Sequence, residues 1–173
     1  EKSGHNVKVM DCRTGHLSFY NMVKQLEDMD LIFVTTTPCD QVQNYFLDYR
    51  YAYAVLTVNY IKNHIPKAII TICGAHATVR PDLVLQEMNA DILIKGEMIK
   101  TAINLANALT YNTSLDEVPN IIYKVNDTYI TTKIDDFLLH PIISDDLFPS
   151  YNKVNMASYF GVHYVNNVPL KRK

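Results

Sequence analysis

Residues 70–97 read ITICGAHATVRPDLVLQEMNADILIKGE and contain two of the five glycines of the chain. Gly74 and Gly96 each follow directly on an apolar run that is typical of a buried strand, and Pro81 opens a short helix between the two runs. In open parallel sheets, ligands bind beyond the carboxyl ends of the strands, where loops lead into helices. A glycine there permits positive φ and close approach of a ligand to the backbone, although each glycine alone is more often a simple turn residue.

Strands and helices are predicted to alternate on both sides of this stretch. Apolar periodicity predicts strands at 6–10, 30–36, 68–73 and 90–95, and helices at 17–29, from Pro38 to about Tyr60, at 81–88 and at 98–109. Such alternation is typical of βαβ units, so we predict a flavodoxin-like (Rossmann-like) α/β fold, a parallel sheet with helices on both faces.

The chain changes character after about residue 111. Residues 120–124 and 128–133 flank Asn126-Asp127 and predict a β-hairpin, and the rest is rich in Pro, Asp, Asn and Tyr and predicts an extended connector. We therefore expect an α/β domain at 1–111 and a hairpin with connector at 112–173.

The composition narrows the function classes. Of the 173 residues, 48% are hydrophobic and 20% are charged, which is the usual mix for a globular protein with one core. The formal net charge of −2 offers no basic face to nucleic acid, and no apolar stretch approaches the roughly 18 residues of a membrane helix. We expect no nucleic-acid partner, no membrane insertion and a cytoplasmic location.

The three cysteines carry no recognisable site. Cys12, Cys39 and Cys73 lie far apart and form neither C-x-x-C nor C-x-x-x-C spacing. We therefore expect no disulfide framework, zinc ribbon or iron–sulfur site within this chain, and we assign no metal ligand.

Polar residues next to the predicted strand ends define a candidate site. Thr35-Thr36-Thr37 ends the strand that neighbours the glycine stretch. With the two glycines they make a small, backbone-rich rim that suits a large flat cofactor better than a catalytic triad. His76, two residues after Gly74, is placed to hydrogen-bond an amide or phosphate of a ligand, or equally to brace the loop.

The same residues resemble a known family. Cys73-Gly74-Ala75-His76-Ala77-Thr78, then Arg80-Pro81 and ADILIKGE at 90–97, are similar to the GGPHAT…P…DYVVRGEGE signature of the cobalamin (B12)-binding domain of B12-dependent radical S-adenosylmethionine (SAM) enzymes. This family includes Fe-S oxidoreductases and enzymes like magnesium-protoporphyrin monomethyl ester cyclase. GHNVKVMD at 4–11 and DLIFVTTT at 30–37 resemble the family's second and third strands, and LFPSY at 147–151 resembles the segment that leads to the radical domain.

The resemblance implies a function and a set of contacts. It implies that the chain binds base-off cobalamin for methyl transfer or cyclisation by a parent enzyme. It implies that the partner is the radical SAM domain of the parent chain, which holds the 4Fe-4S cluster and SAM, since this chain itself lacks C-x-x-x-C-x-x-C. No catalytic residue is implied here. The implied cobalamin contacts are Thr35, Thr36, Thr37, Cys73, Gly74, Ala75, His76, Gly96 and Glu97.

Two departures from the family pattern lead to further expectations. The family's first strand has no counterpart, so one sheet edge is expected to be exposed and could pair two copies into a homo-oligomer. Cys73 and Met98 stand where the family has glycine, which favours, as an alternative, an interaction or regulatory domain that has lost the cofactor.

A hydrolase is the other alternative. Asp11 and Glu97 both follow predicted strands, so they could converge on one pocket with a metal or phosphate. A carboxylate at such a place more often caps the next helix, whose N-terminus favours negative charge.

Overall fold

The computed structural model describes residues 3–10, 18–36, 47–126, 128–135, 153, 162–165 and 168–171. Two compact units make up the chain: residues 19–142 form one, and residues 1–18 with 143–173 form the other. The larger unit carries the candidate site.

Helices and strands alternate through the first part of the larger unit, as predicted. Its elements are α1 (Phe19–Leu26), β1 (Leu31–Thr35), α2 (Leu47–His64), β2 (Ile69–Cys73), α3 (Ala75–Val79), α4 (Pro81–Glu87), β3 (Ile92–Ile94) and α5 (Ile99–Tyr111). A 3₁₀ turn (Leu115–Glu117) then leads to β4 (Ile121–Val125) and β5 (Thr128–Thr131). Among the helices in the described ranges, none combines the length and the apolar character needed to cross a membrane.

The five strands form one sheet in the order β1-β2-β3-β4-β5. β1, β2 and β3 are parallel, and Thr35 at the end of β1 lies opposite Cys73 at the end of β2. β4 runs antiparallel to β3 and β5 antiparallel to β4, so the predicted hairpin continues the main sheet. The sheet is mixed but mostly parallel, and the predicted flavodoxin-like α/β fold is confirmed.

Both faces of the sheet are covered. One face forms a cluster in which Cys73, Ile92 and Ile94 pack with Leu105 and Ala108 of α5. Because successive strand residues point to opposite faces, the fully buried side chains of Ile70, Ile72 and Leu93 belong to the other face. The buried residues of α2 and α4, Val58, Ile61 and Val84, supply apolar surface outside the first cluster.

The edge where the parallel strands begin is fixed by one ion pair. Lys62 Nζ at the end of α2 donates to both carboxylate oxygens of Asp91, at 2.8 and 2.7 Å, and to the carbonyl of Ala68 at 3.1 Å. Asp91 Oδ2 also accepts the N–H of Ile70 at 2.8 Å. This contact holds α2 against the starts of β2 and β3, at the edge opposite the glycines.

One local prediction was wrong, and two elements of the structure were not predicted. Residues 6–10 form no strand, and Val7 and Val9 are 39% and 48% exposed, so the segment buries too little apolar surface to hold a place in a sheet. A separate helix, α3, precedes the one predicted at 81–88, and Arg80 at φ −130° and ψ 57° separates the two. The start of α2 predicted at Pro38 lies outside the described residues.

The third difference lies in the smaller unit. The predicted connector contains an antiparallel pair of strands, β6 (Val162–Val165) and β7 (Val168–Lys171). Pro169 lies within β7 and argues against a strand when only the sequence is read, because proline cannot donate to a ladder.

Candidate ligand-binding site

The carboxyl ends of β1 and β2 are joined by Thr36. Its N–H donates to the carbonyl of Cys73 at 2.8 Å, and its hydroxyl donates to the same oxygen at 3.0 Å. Thr36 is fully buried, so its side chain braces the two strand ends from inside. Thr35, one residue earlier, is exposed at the same edge, and Thr37 lies outside the described residues.

A second threonine links the two glycine loops. The Thr78 hydroxyl donates to the carbonyl of Gly74 at 3.0 Å and accepts the N–H of Gly96 at 2.8 Å. The loops after β2 and β3 are therefore held together by one side chain. Thr78 is not among the contacts expected from the sequence. Its spacing of four residues from Gly74, which places a helical side chain beside that carbonyl, is the signal that was available.

Both glycines adopt backbone conformations that other residues avoid. Gly74 has φ 106° and ψ −167°, a region that is essentially restricted to glycine. Gly96 has φ 77°, in the left-handed region. Each glycine is thus required by its turn, and each also leaves the rim without a side chain at that point.

His76 lies in the first turn of α3, beside Gly74 and Ala75, and all three are half-buried. The imidazole stacks on the phenol ring of Tyr51 in α2, with ring centroids 4.7 Å apart and an interplanar angle of 29°. The Nδ1 atom of the imidazole is buried. The stacking partner was not predicted, since nothing in the spacing of residues 51 and 76 brings them together.

Cys73 lies in the core, and the half-buried Met98 packs against it. Cys73 is fully buried, its thiol contacts the carbonyl of Val34 at 3.6 Å, and Met98 packs against the same apolar cluster. Burial raises the pKa of the Cys73 thiol to about 11, and the negative charge of Glu97 adds to the rise while a hydrogen bond with Thr35 opposes it. The thiol is therefore protonated at neutral pH, and its burial keeps it away from the rim.

Glu97 caps α5. Its Oε1 atom accepts the N–H of Met98 at 2.9 Å and of Ile99 at 3.3 Å. These are N–H groups of the first turn, which have no partner within the helix. Asp11, the other carboxylate of the hydrolase alternative, lies outside the described residues. Among the residues that the structure describes, no three His, Cys, Asp or Glu side chains gather as a metal site.

The fold matches solved structures of cobalamin-dependent enzymes. The radical SAM methyltransferase TsrM from Kitasatospora setae, solved with cobalamin and a [4Fe-4S] cluster, matches with a TM-score of 0.61 and 14% identity over 99% of this chain and 26% of that chain. The same enzyme with tryptophan and aza-SAM matches with a TM-score of 0.61 and 18% identity over 76% of this chain and 25% of that chain. OxsB, a cobalamin-dependent SAM radical enzyme solved with aqua-cobalamin and SAM, matches with a TM-score of 0.50 and 20% identity over 73% of this chain and 17% of that chain.

These likenesses show the fold. This chain spans about a quarter of the length of TsrM and less of OxsB. No protein-family model and no curated protein matches the sequence.

Proposed function

We propose that this chain is a cobalamin-binding domain of a B12-dependent radical SAM enzyme. The observation that carries the proposal is the rim at the ends of β2 and β3, where Thr78 joins the turns of Gly74 and Gly96. The rim lies where open α/β sheets bind ligands, and the solved structures that share the fold include TsrM with cobalamin and OxsB with aqua-cobalamin.

The residues at the rim have the chemistry needed to hold cobalamin. Cobalamin is large, and its amide side chains and the phosphate of its nucleotide tail need polar partners and close approach to the backbone. The two glycines leave the rim open, Thr35 is exposed beside it, and His76 offers an imidazole. Of the two bulky residues at family glycine positions, Cys73 lies in the core and the half-buried Met98 packs against it, so the sequence-based argument for a lost cofactor is weakened.

In this proposal, residues of this chain bind cobalamin and orient it. Glycine turns and Thr35 line the entry of the nucleotide tail, which is bound base-off, and His76 contacts its polar periphery. Thr36, Thr78 and Glu97 hold the loops in place. Cobalamin would supply methyl-transfer or cyclisation chemistry to the parent enzyme, whose radical SAM domain holds the 4Fe-4S cluster and SAM. A cytoplasmic location and a domain boundary near residue 111 belong to the same proposal.

Titration of the full chain with hydroxocobalamin, followed by calorimetry and by the visible spectrum, tests the proposal. We expect saturable one-to-one binding with a base-off spectrum. Thr35→Trp should abolish binding because the indole fills the rim from an exposed strand position that tolerates an aromatic residue. The matched control is Thr131→Trp, at an exposed threonine of β5, which should bind as the wild type does.

Two other results would each count against the proposal. If a demonstrably folded wild-type chain does not bind, the proposal is wrong, and the alternative of an interaction or regulatory domain is favoured. If Thr35→Trp and Thr131→Trp bind equally well, cobalamin binds elsewhere than at this rim.

A further inference from the structure

Tyr51 lies on the helix that precedes β2 and reaches the rim from outside the loops that form it. Its ring stacks on the imidazole of His76 at a centroid separation of 4.7 Å. This separation falls within the range of favourable aromatic contacts, and the angle of 29° is close to parallel. Tyr51 thus limits rotation of the imidazole about its side-chain bonds.

Polar atoms of both stacked residues are buried. The Nδ1 atom of His76 is buried, although the residue as a whole is half-buried. The Tyr51 hydroxyl is buried as well, so the phenol presents its ring, and not its hydroxyl, to the site.

We infer that Tyr51 is a positioning residue for cobalamin, which holds the His76 imidazole at the rim so that the ring contacts an amide or the phosphate of the nucleotide tail. This inference rests on the proposed function. It predicts that Tyr51 affects affinity only through His76, because a residue that acts through another has no effect once that other is removed.

The first measurement needs no ligand. The ring-proton resonances of His76 in the free chain, assigned by their loss in His76→Gln, should lie upfield because the phenol ring shields them. Tyr51→Phe should leave them in place, and Tyr51→Leu should move them downfield. Tyr53→Leu is the matched control: Tyr53 is in the same helix but stacks on Phe19 of α1 at 5.4 Å. Unchanged resonances in Tyr51→Leu would overturn the stack.

The second measurement is a double-mutant cycle on the Kd for hydroxocobalamin. We expect Tyr51→Phe and Tyr53→Leu to bind like the wild type and Tyr51→Leu to bind roughly two- to tenfold more weakly, the range of an aromatic contact. The double variant Tyr51→Leu/His76→Gln should bind no more weakly than His76→Gln alone. Additive losses would show that Tyr51 acts by another route, and wild-type affinity in Tyr51→Leu would show that it does not act at all.

Different results overturn the proposed function and the role of Tyr51. No binding by the folded wild type overturns the proposed function, and with it the role of Tyr51 toward cobalamin, whatever the resonances show. Binding by the wild type with an additive cycle overturns only the role of Tyr51.

Discussion

At the scale of single residues, hydroxyl groups decide the shape of the rim. Thr36 and Thr78 each use one side chain to connect two strand ends or loops, and both were parts of recognised motifs. The sequence predicted Gly74, Gly96 and Thr36 as neighbours because parallel strands end at one edge. It could not predict that Thr36 is buried, because the direction of a side chain at a strand end depends on register, which a single strand does not specify.

Replacement of Thr78 by valine should loosen both glycine loops. Valine keeps the shape but removes the hydroxyl, so the Gly96 N–H loses its acceptor and the free energy of unfolding should fall by about 1–3 kcal/mol. Thr78→Ser should retain most of the stability. Urea denaturation measures the change. The matched control is Thr110→Val, because Thr110 makes only a hydroxyl bond to Ala106 within α5 at 2.8 Å; a loss equal to that of Thr78→Val would contradict the bridging role.

The Cys73 thiol should make stability depend on alkaline pH. Its pKa is about 11 in the folded chain against 9.0 ordinarily. Between these values the unfolded chain releases a proton that the folded chain keeps, so the stabilisation is complete below pH 9 and is lost as the pH rises toward 11. At pH 10.5 the loss should reach up to about 2 kcal/mol. The urea midpoints at pH 8 and pH 10.5 should differ less in Cys73→Ala than in the wild type, because the variant has no thiol at this position to titrate; an identical pH dependence would contradict the assignment.

At the scale of elements, the longer helices and the continuous apolar strands were predicted well, and the short elements were predicted poorly. The strands before Gly74 and Gly96 and helix α5 were predicted because continuous apolar runs and 3.6-residue periods are strong signals. α3, with five residues, is too short to show a period. The strand predicted at 6–10 had a suitable pattern, but a strand also needs a partner that buries it, and local sequence carries no information on that.

The contact between α2 and the strand starts should be worth more than an ordinary surface ion pair. Asp91→Asn removes the charge that faces Lys62 Nζ and weakens the acceptor of the Ile70 N–H. The free energy of unfolding should fall by about 1.5–3 kcal/mol, the range of hydrogen bonds to charged groups. Asp82→Asn is the matched control, since Asp82 lies 3.7 Å from Arg80 and both side chains are largely exposed. In Asp82→Asn, the free energy of unfolding should change by no more than about 0.5 kcal/mol. Equal losses in the two variants would contradict this account.

At the scale of the whole molecule, the sheet order places β1 at one edge. Among the described strands, β1 pairs only with β2, and Phe33 in its middle is 36% exposed. The expectation of an exposed edge came from the family resemblance, since strand order cannot be derived from one sequence without knowing which helix packs on which face. An edge strand offers unpaired backbone groups to another chain.

Self-association through β1 should therefore depend on concentration. Size-exclusion chromatography with light scattering should detect dimers that become more abundant at higher concentration, and Phe33→Lys should suppress them because charge blunts a strand edge. Thr128→Lys, on the opposite edge strand β5, is the control and should leave the association unchanged. A monomer at every concentration would show that β1 does not pair.

The backbone of Gly74 has a consequence for evolution. Because φ 106° with ψ −167° is essentially closed to other residues, a descendant that gave up its cofactor would still keep this glycine in order to fold, and Thr78 with it. Thr35, exposed at the rim, lies in a strand, a backbone conformation that is open to other residues, although it also hydrogen-bonds the Cys73 thiol. Among related chains that have lost the cofactor, Thr35 should therefore be replaced before Gly74. The presence of Gly74 alone then indicates an inherited turn and does not indicate that a chain still binds the cofactor.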